Sequence, residues 1–331
     1  MKLARQIEKL LINVPKPSNW VPDQYDIGLH NIIVDWREAK TADVGLVGVP
    51  FDTAVMGRRG CRFGPESVRN SLVFSYVYEP GIDVDLSTGL SVADFGNIDV
   101  LQTEVPGTHE RIEKVVTAIF ELGVTPAIIG GDHSITYPTA KSLINVTKGN
   151  VGVIMLDSHL DVRHSHHGEV SSGTPFRRLM EEPERPVQGK NLVEIGINGW
   201  LNSRYYMDYC RGKGVTVIPS RQVHRSGVDA VIAQALKAAT DGTEAFFISI
   251  DIDGLDLSVA PGTCAPSPGG LSAYEALEMI WQMGQHPKCR GLDLVEVAPC
   301  LDAAGVTSMM AAALIMNFLA ATKVRLQKQR G

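Results

Sequence analysis

Cysteine is scarce in this chain. There are five, Cys61, Cys210, Cys264, Cys289 and Cys300, odd in number and never paired as C-x-x-C. That excludes a disulfide framework and suits the reduced thiols of a cytosolic protein. Basic residues show no excess: the net charge of −6 argues against a nucleic-acid-binding surface. Long hydrophobic runs are also missing. The longest, Met309 to Ala321, has 13 residues and is interrupted by Asn317, short of the ~20 needed to span a bilayer. The first residues, Met1-Lys2-Leu3-Ala4-Arg5-Gln6, lack the apolar core and cleavage site of a signal peptide. No repeat, low-complexity tract or shift in composition marks a linker. Together these absences predict a cytoplasmic protein with neither nucleic acid nor membrane as partner.

What is present is ample core material, 44% of 331 residues being apolar. Residues 1–42, broken by Pro15, Pro17 and Pro22, read as an N-terminal extension that wraps the fold or meets a neighbouring subunit. Residues 43–331 read as a single domain. Apolar strand-like runs at 44–49, 127–129, 151–156, 192–197, 215–218, 245–250 and 292–297 alternate with helical patterns. Pro65 starts one helix. Thr108 caps another, which carries Ile112, Val115, Val116, Ile119 and Phe120 and is stopped by Gly123. Ser272 and Glu275 form a capping-box pattern, and a last helix is expected at about 307–327. Such alternation predicts an α/β fold, a mostly parallel sheet covered by helices on both faces.

Three of these strands end in polar clusters. Gly130-Gly131-Asp132-His133-Ser134 follows the second run, Asp157-Ser158-His159-Leu160-Asp161 the third, and Asp251-Ile252-Asp253 the sixth. Alternation along an extended chain lets the polar side chains of D-x-H-x-D point one way. A single cluster is explained by aspartates capping a strand end; three chemically matched ones are not. Four carboxylates brought together repel and resist ionisation unless cations neutralise them. Two divalent ions balance Asp157, Asp161, Asp251 and Asp253, with His133 and His159 completing the ligand shell. Mixed oxygen and imidazole donors favour manganese first, with nickel, cobalt, iron or zinc as alternatives. Open parallel sheets bind ligands at the carboxyl ends of strands, where all three clusters lie.

These motifs, with Ser249 to Asp256, Ala260-Pro261-Gly262-Thr263, Pro268-Gly269-Gly270-Leu271 and Val295-Glu296-Val297-Ala298-Pro299, resemble the ureohydrolase family. That family includes arginase, agmatinase, guanidinobutyrase and formimidoylglutamase. The resemblance spans roughly residues 43–325. It implies a three-layer α/β/α fold on an eight-stranded, mostly parallel sheet, a binuclear manganese centre, and a homotrimer or homohexamer to which the apolar last helix could contribute an interface. By the same resemblance, His133, Asp157, Asp161 and Asp251 hold one ion, and Asp157, His159, Asp251 and Asp253 the other. Asp161 then acts as the catalytic proton shuttle and Glu296 pairs with a cationic amidine or guanidino substrate.

The surrounding motifs bear on the substrate. Arg163 after Asp161, then Ser171-Ser172-Gly173-Thr174-Pro175-Phe176, the stretch Gly199-Trp200-Leu201-Asn202-Ser203 and the ending Thr307-Ser308-Met309 are similar to formimidoylglutamases. Arginases and most agmatinases carry histidine where Ser172 stands, which leaves His164, His166 or His167 as substitutes for a loop proton shuttle. Arg163, Ser172 and Asn202 are the candidate substrate contacts, Arg163 as the partner of a substrate carboxylate. Arg177 and Arg178 start a surface helix. The segments Arg58 to Pro65 and Ala260 to Thr263 read instead like agmatinases. Hydrolysis of N-formimidoyl-L-glutamate to glutamate and formamide leads, followed by an agmatinase or guanidino-acid hydrolase releasing urea. A silent metal-binding subunit is the non-enzymatic alternative.

Overall fold

The computed structural model describes residues 10–12, 25–164 and 170–330. Twelve strands are assigned in chain order among them: β1 Leu11–Ile12, β2 Ile33–Asp35, β3 Val44–Gly48, β4 Tyr78–Glu79, β5 Val84–Asp85, β6 Val92–Ile98, β7 Thr125–Ile129, β8 Asn150–Leu156, β9 Leu192–Ile197, β10 Thr216–Pro219, β11 Thr243–Asp251 and β12 Cys289–Val295. Eight form a parallel sheet in the order β6-β3-β7-β12-β11-β8-β9-β10. The sheet carries ten strands rather than the expected eight, because β2 runs parallel to Val92–Asp94 of β6 and β1 antiparallel to Asn97–Ile98. The described part of the N-terminal extension thus adds strands to one sheet edge.

Nine helices follow among the described residues: α1 Gly64–Leu72, α2 Val105–Glu121, α3 Thr136–Val146, α4 Pro175–Met180, α5 Arg204–Lys213, α6 Ser220–Ser226, α7 Val228–Ala239, α8 Ala273–Gly284 and α9 Val306–Arg330. They form two layers, because successive side chains of a buried strand point to opposite faces. In β8, Ile154 and Leu156 pack beneath α1, α6, α7, α8 and α9, while Val153 and Met155 pack beneath α2, α3, α4 and α5. In β11, Phe246, Ile248 and Ile250 take the first face and Phe247 the second.

Three local expectations need correction. Thr108 lies inside α2, not at its start, and its hydroxyl closes the preceding loop on Leu101 N and O at 2.9 Å each. The apolar run from Met309 belongs to α9, which is long and apolar enough to cross a membrane by length and composition. It packs instead on α8 and α1, burying Met310, Leu314, Ile315, Phe318 and Leu319 within the chain and leaving Met309 exposed. Arg177 and Arg178 sit on the half-buried α4, where the Arg178 guanidinium lies 3.5 Å from the Tyr137 ring centre.

Candidate metal centre

Four neighbouring strands, β7, β12, β11 and β8, deliver the candidate side chains from their carboxyl ends. His133 opens a 3-10 turn after β7, Asp157 follows β8, Asp251 ends β11, and Glu296 follows β12. Two glycines permit this crowding. A Cβ on Gly131 would lie 1.7 Å from the Phe51 carbonyl oxygen, and one on Gly254 would lie 2.7 Å from Asp157 N.

His133 Nδ1 stands 3.1 Å from Asp157, 2.9 Å from Asp161 and 3.2 Å from Asp251, in each case from Oδ2. His159 Nδ1 lies 3.2 Å from Asp253 Oδ2 and 3.4 Å from Asp157 Oδ1. The structure therefore brings together His133, Asp157, Asp161 and Asp251 as one group and Asp157, His159 and Asp253 as another, with Asp157 common to both. Asp251, which the resemblance makes a second bridge, lies with the first group. Its Oδ1 accepts the Asp253 N–H at 2.9 Å, within the turn that follows β11.

The chemistry of this donor set fits cations. Nδ1 of His133 and Oδ2 of Asp157 are buried without a hydrogen bond, a costly state unless something positive sits among them. Charge tells the same story. Burial, with repulsion from Asp161 and Asp253, pushes Asp157 up to about 6, and burial beside Asp253 and Asp157 pushes Asp251 well above the usual carboxylate range. Burial alone would lower both imidazoles, but the surrounding carboxylates reverse it, raising His133 well above its ordinary value and His159 to about 12. Asp253 moves the opposite way, because His159 outweighs burial and holds it low. A free cluster of this kind retains protons in the positions that divalent ions would take.

Supports around the cluster fix the ligand orientations. His133 Nε2 lies 3.0 Å from Ser249 Oγ, which donates to Asp293 Oδ1 at 2.6 Å; such a partner on the far nitrogen sets the tautomer. Ser158 Oγ donates to Asp253 Oδ1 at 2.9 Å. Glu296 Oε1 accepts the His133 N–H at 2.8 Å, tying the β12 end to the β7 end. Asp161 and Glu296 both have positive φ, 45° and 67°, a conformation uncommon for non-glycine residues and typical of functional sites. Nothing in the sequence signals that strain.

A cleft of about 200 Å³ opens over the cluster, lined by His159, Asp161, Asp251, Asp253, Glu296, Arg163 and Ser172 among others. It lies below the ~300–1,000 Å³ of sites for drug-sized ligands, which suits a small linear molecule. Arg163 is half-buried there, its guanidinium 5.6 Å from the Tyr206 ring centre, with no ion pair to a carboxylate among the described residues. Ser172 Oγ accepts the Met56 N–H at 3.0 Å, so it both lines the cleft and holds the opposite loop. Asn202 does not line the cleft. Its amide braces the D-x-H-x-D loop, accepting Leu160 N–H at 3.1 Å and donating to Ser158 O and Asn198 O at 2.8 Å each. This corrects its assignment as a substrate contact. His164 is exposed, and His166 and His167 lie outside the described residues.

Sequence reasoning missed an inner relay behind the cluster. Arg178 Nη1 lies 3.2 Å from His109 Nδ1, His109 Nε2 lies 3.1 Å from Ser134 Oγ, and Ser134 Oγ donates to Asp132 Oδ1 at 2.5 Å. Only the G-G-D-H-S motif hinted at its far end, because His109 and Arg178 are distant in sequence.

Comparison with known proteins agrees with this architecture. Residues 42–321 match the arginase family. The chain is 34% identical to a formimidoylglutamase of Halalkalibacterium halodurans, covering 87% of this chain and 90% of that protein. It is 35% identical to the mitochondrial agmatinase of Gallus gallus, covering 93% and 89%. The crystal structure of formimidoylglutamase from Bacillus subtilis superposes with a TM-score of 0.87 at 31% identity, covering 94% of this chain and 96% of that one. Formiminoglutamase from Trypanosoma cruzi with Mn2+ gives 0.80 at 30% identity, covering 87% and 97%. With its sheet, its strand-end carboxylates and its match over nearly the whole length, this chain belongs to the arginase family.

Proposed function

We propose that this protein is a metal-dependent hydrolase of linear amidines and that its substrate is N-formimidoyl-L-glutamate, cleaved to glutamate and formamide. The observation that carries the substrate is Arg163, a cation with no ion pair to a carboxylate among the described residues, in a cleft otherwise rich in acids. A substrate cationic at one end and carboxylate-bearing at the other complements that polarity.

His133, Asp157, Asp161 and Asp251 would hold one divalent ion and Asp157, His159 and Asp253 the other, manganese being favoured by the oxygen-rich donors and by its presence in the Trypanosoma cruzi relative. When bound, the ions supply Lewis acidity and a nucleophile at neutral pH. The chain's own residues do the rest. Glu296 offers its free Oε2 to the amidinium and fixes the reacting carbon over the floor of the cleft. Arg163 pairs with a carboxylate at the other end of the substrate. Asp161, which lines the cleft, carries a proton from the nucleophile to the departing amine.

A guanidino substrate releasing urea is the second reading, favoured by the likeness to agmatinase. The agmatinase-like segments bear on it less than they promise: Arg58 Nη2 donates to Thr263 O at 2.6 Å, so these two segments brace each other. Incubating manganese-loaded protein with formimidoylglutamate, agmatine, 4-guanidinobutyrate and arginine, and identifying products by mass spectrometry, separates the two. Formamide with glutamate is expected; urea would overturn the first reading. A homotrimer or homohexamer in the cytoplasm belongs to the same proposal. An exposed apolar patch at Trp200, Leu201 and Tyr205 supports an interface, and the unpaired cysteines support a reducing compartment. Native mass spectrometry giving a monomer would refute the assembly.

A further inference from the structure

Beside the acidic centre lies a second constellation, whose two thiols this reaction does not use and whose carboxylate it shares. Cys61 opens the 3-10 turn Cys61–Phe63, Cys264 lies in the segment between β11 and α8, and Glu296 follows β12. One ligand atom from each lies within 4.8 Å of the others, and all three residues are buried. Neither cysteine is in a disulfide. Ala298 packs with the two thiols, and Val55 and Leu301 close over them. Glu296 is only 3% exposed, yet its Oε2 has no hydrogen bond. Two thiols and a carboxylate oxygen converging beside an apolar patch form a donor set that a soft cation can take.

We propose that Cys61, Cys264 and Glu296 form a third cation site, selective for a thiophilic divalent ion of the zinc type. Two sulfurs and one carboxylate oxygen match three positions of a tetrahedral zinc site. Cys264 and Glu296 line the cleft, so the fourth position opens toward substrate. Manganese prefers oxygen and nitrogen donors and has little claim on the thiol pair, which separates this site chemically from the Asp/His centre. Binding displaces the thiol protons to solvent. Because Glu296 belongs to both, the ion takes from the substrate its carboxylate partner, and the site is inhibitory. That consequence rests on the role given to Glu296 above; the cation site itself does not.

The test is a titration of manganese-loaded protein, kept reduced with a phosphine, with cobalt(II) as the probe. Thiolate-to-cobalt charge transfer in the near ultraviolet arises only at the cysteines, since the Asp/His centre contains no sulfur. A band saturating at one cobalt per chain and displaced by zinc is expected. Cys61→Ser and Cys264→Ser should each weaken cobalt binding by more than the ~10–100-fold that follows loss of a ligand's hydrogen-bond partner. Cys61→Ser, whose side chain does not reach the cleft, should keep its turnover while losing inhibition by zinc; Cys264→Ser provides a second variant if the first fails to fold. Absence of the charge-transfer band, or its persistence in both variants, would overturn the site. A band accompanied by unchanged turnover in zinc would leave the site standing and overturn its inhibitory consequence through Glu296. A band in protein that hydrolyses no amidine would count against the proposed function and not against the site.

Discussion

At the scale of single residues, the telling contrast is between polar groups that are satisfied and those that are not. Asn202, Ser158 and Ser249 spend their hydrogen bonds on holding other residues in place. Asp157 and Glu296 each keep a buried oxygen without a hydrogen bond of regular geometry, that of Asp157 lying against His133 Nδ1. The first kind stabilises and the second is available for chemistry, so their substitutions should differ in kind. Asp161→Asn removes both the proton carrier and one carboxylate of the first ligand group: kcat is expected to fall by at least ~10²–10⁴, and manganese content measured beside steady-state kinetics separates the two losses. Asn202→Ala should lower stability by about 1–3 kcal/mol, because the buried N–H of Leu160 and the carbonyls of Ser158 and Asn198 lose their partner. Denaturant unfolding reads that loss, and Arg163-dependent substrate binding should weaken only through the loop.

At the scale of elements, the strand ends and helix starts follow local rules with measurable cost. The capping box expected at Ser272 is present: Ser272 Oγ receives Glu275 N–H at 3.2 Å, and Glu275 Oε2 receives Ser272 N–H at 2.8 Å. Ser272→Ala should cost about 1 kcal/mol and leave metal loading intact, since the side chains of Ser272 and Glu275 bond each other and His224 rather than a candidate ligand. Gly254→Ala should do the reverse. Its Cβ would press on the backbone of Asp157 at 2.7 Å, so manganese content measured by atomic emission is expected to fall with the stability, by about 1–3 kcal/mol of overpacking strain.

The whole molecule responds to pH through a buried imidazole behind the ligand cluster, itself no candidate ligand. His109 is pushed down to about 3 by burial, with the Arg178 charge assisting. A group whose folded value lies below its unfolded one stays neutral in the native state while the unfolded chain takes up a proton. Its stabilising contribution is complete above the unfolded value of about 6.5 and is lost as pH falls from there toward 3. The loss amounts to at most about 1.4 kcal/mol per pH unit. His109→Gln can still accept from Arg178 and donate to Ser134 but cannot titrate, so its melting temperature should be flatter than that of the parent across this window.

How much of this was legible in the sequence follows from the range of the interactions. The strand–helix alternation, the capping box and the polar clusters at strand ends are local, written within a few residues, and they determined the α/β class and all six candidate ligands. β6 escaped because its polar Asp94 and Asn97 break the apolar pattern; they are satisfied by Arg69 of α1, at 2.9 and 2.7 Å, a partner no local rule predicts. Asn202 was misread for the same reason, its three bonds reaching back to the loop at 158–160 and sideways to Asn198. Only the tertiary structure decided that β7, β12, β11 and β8 are neighbours, an order unrelated to their order in the chain. That order sets four carboxylates and two imidazoles within a few ångströms, puts Glu296 on the His133 backbone, and leaves Cys61 beside Cys264. Sequence names the donors because side-chain chemistry is local, whereas their convergence depends on sheet order and burial, which belong to the folded chain as a whole.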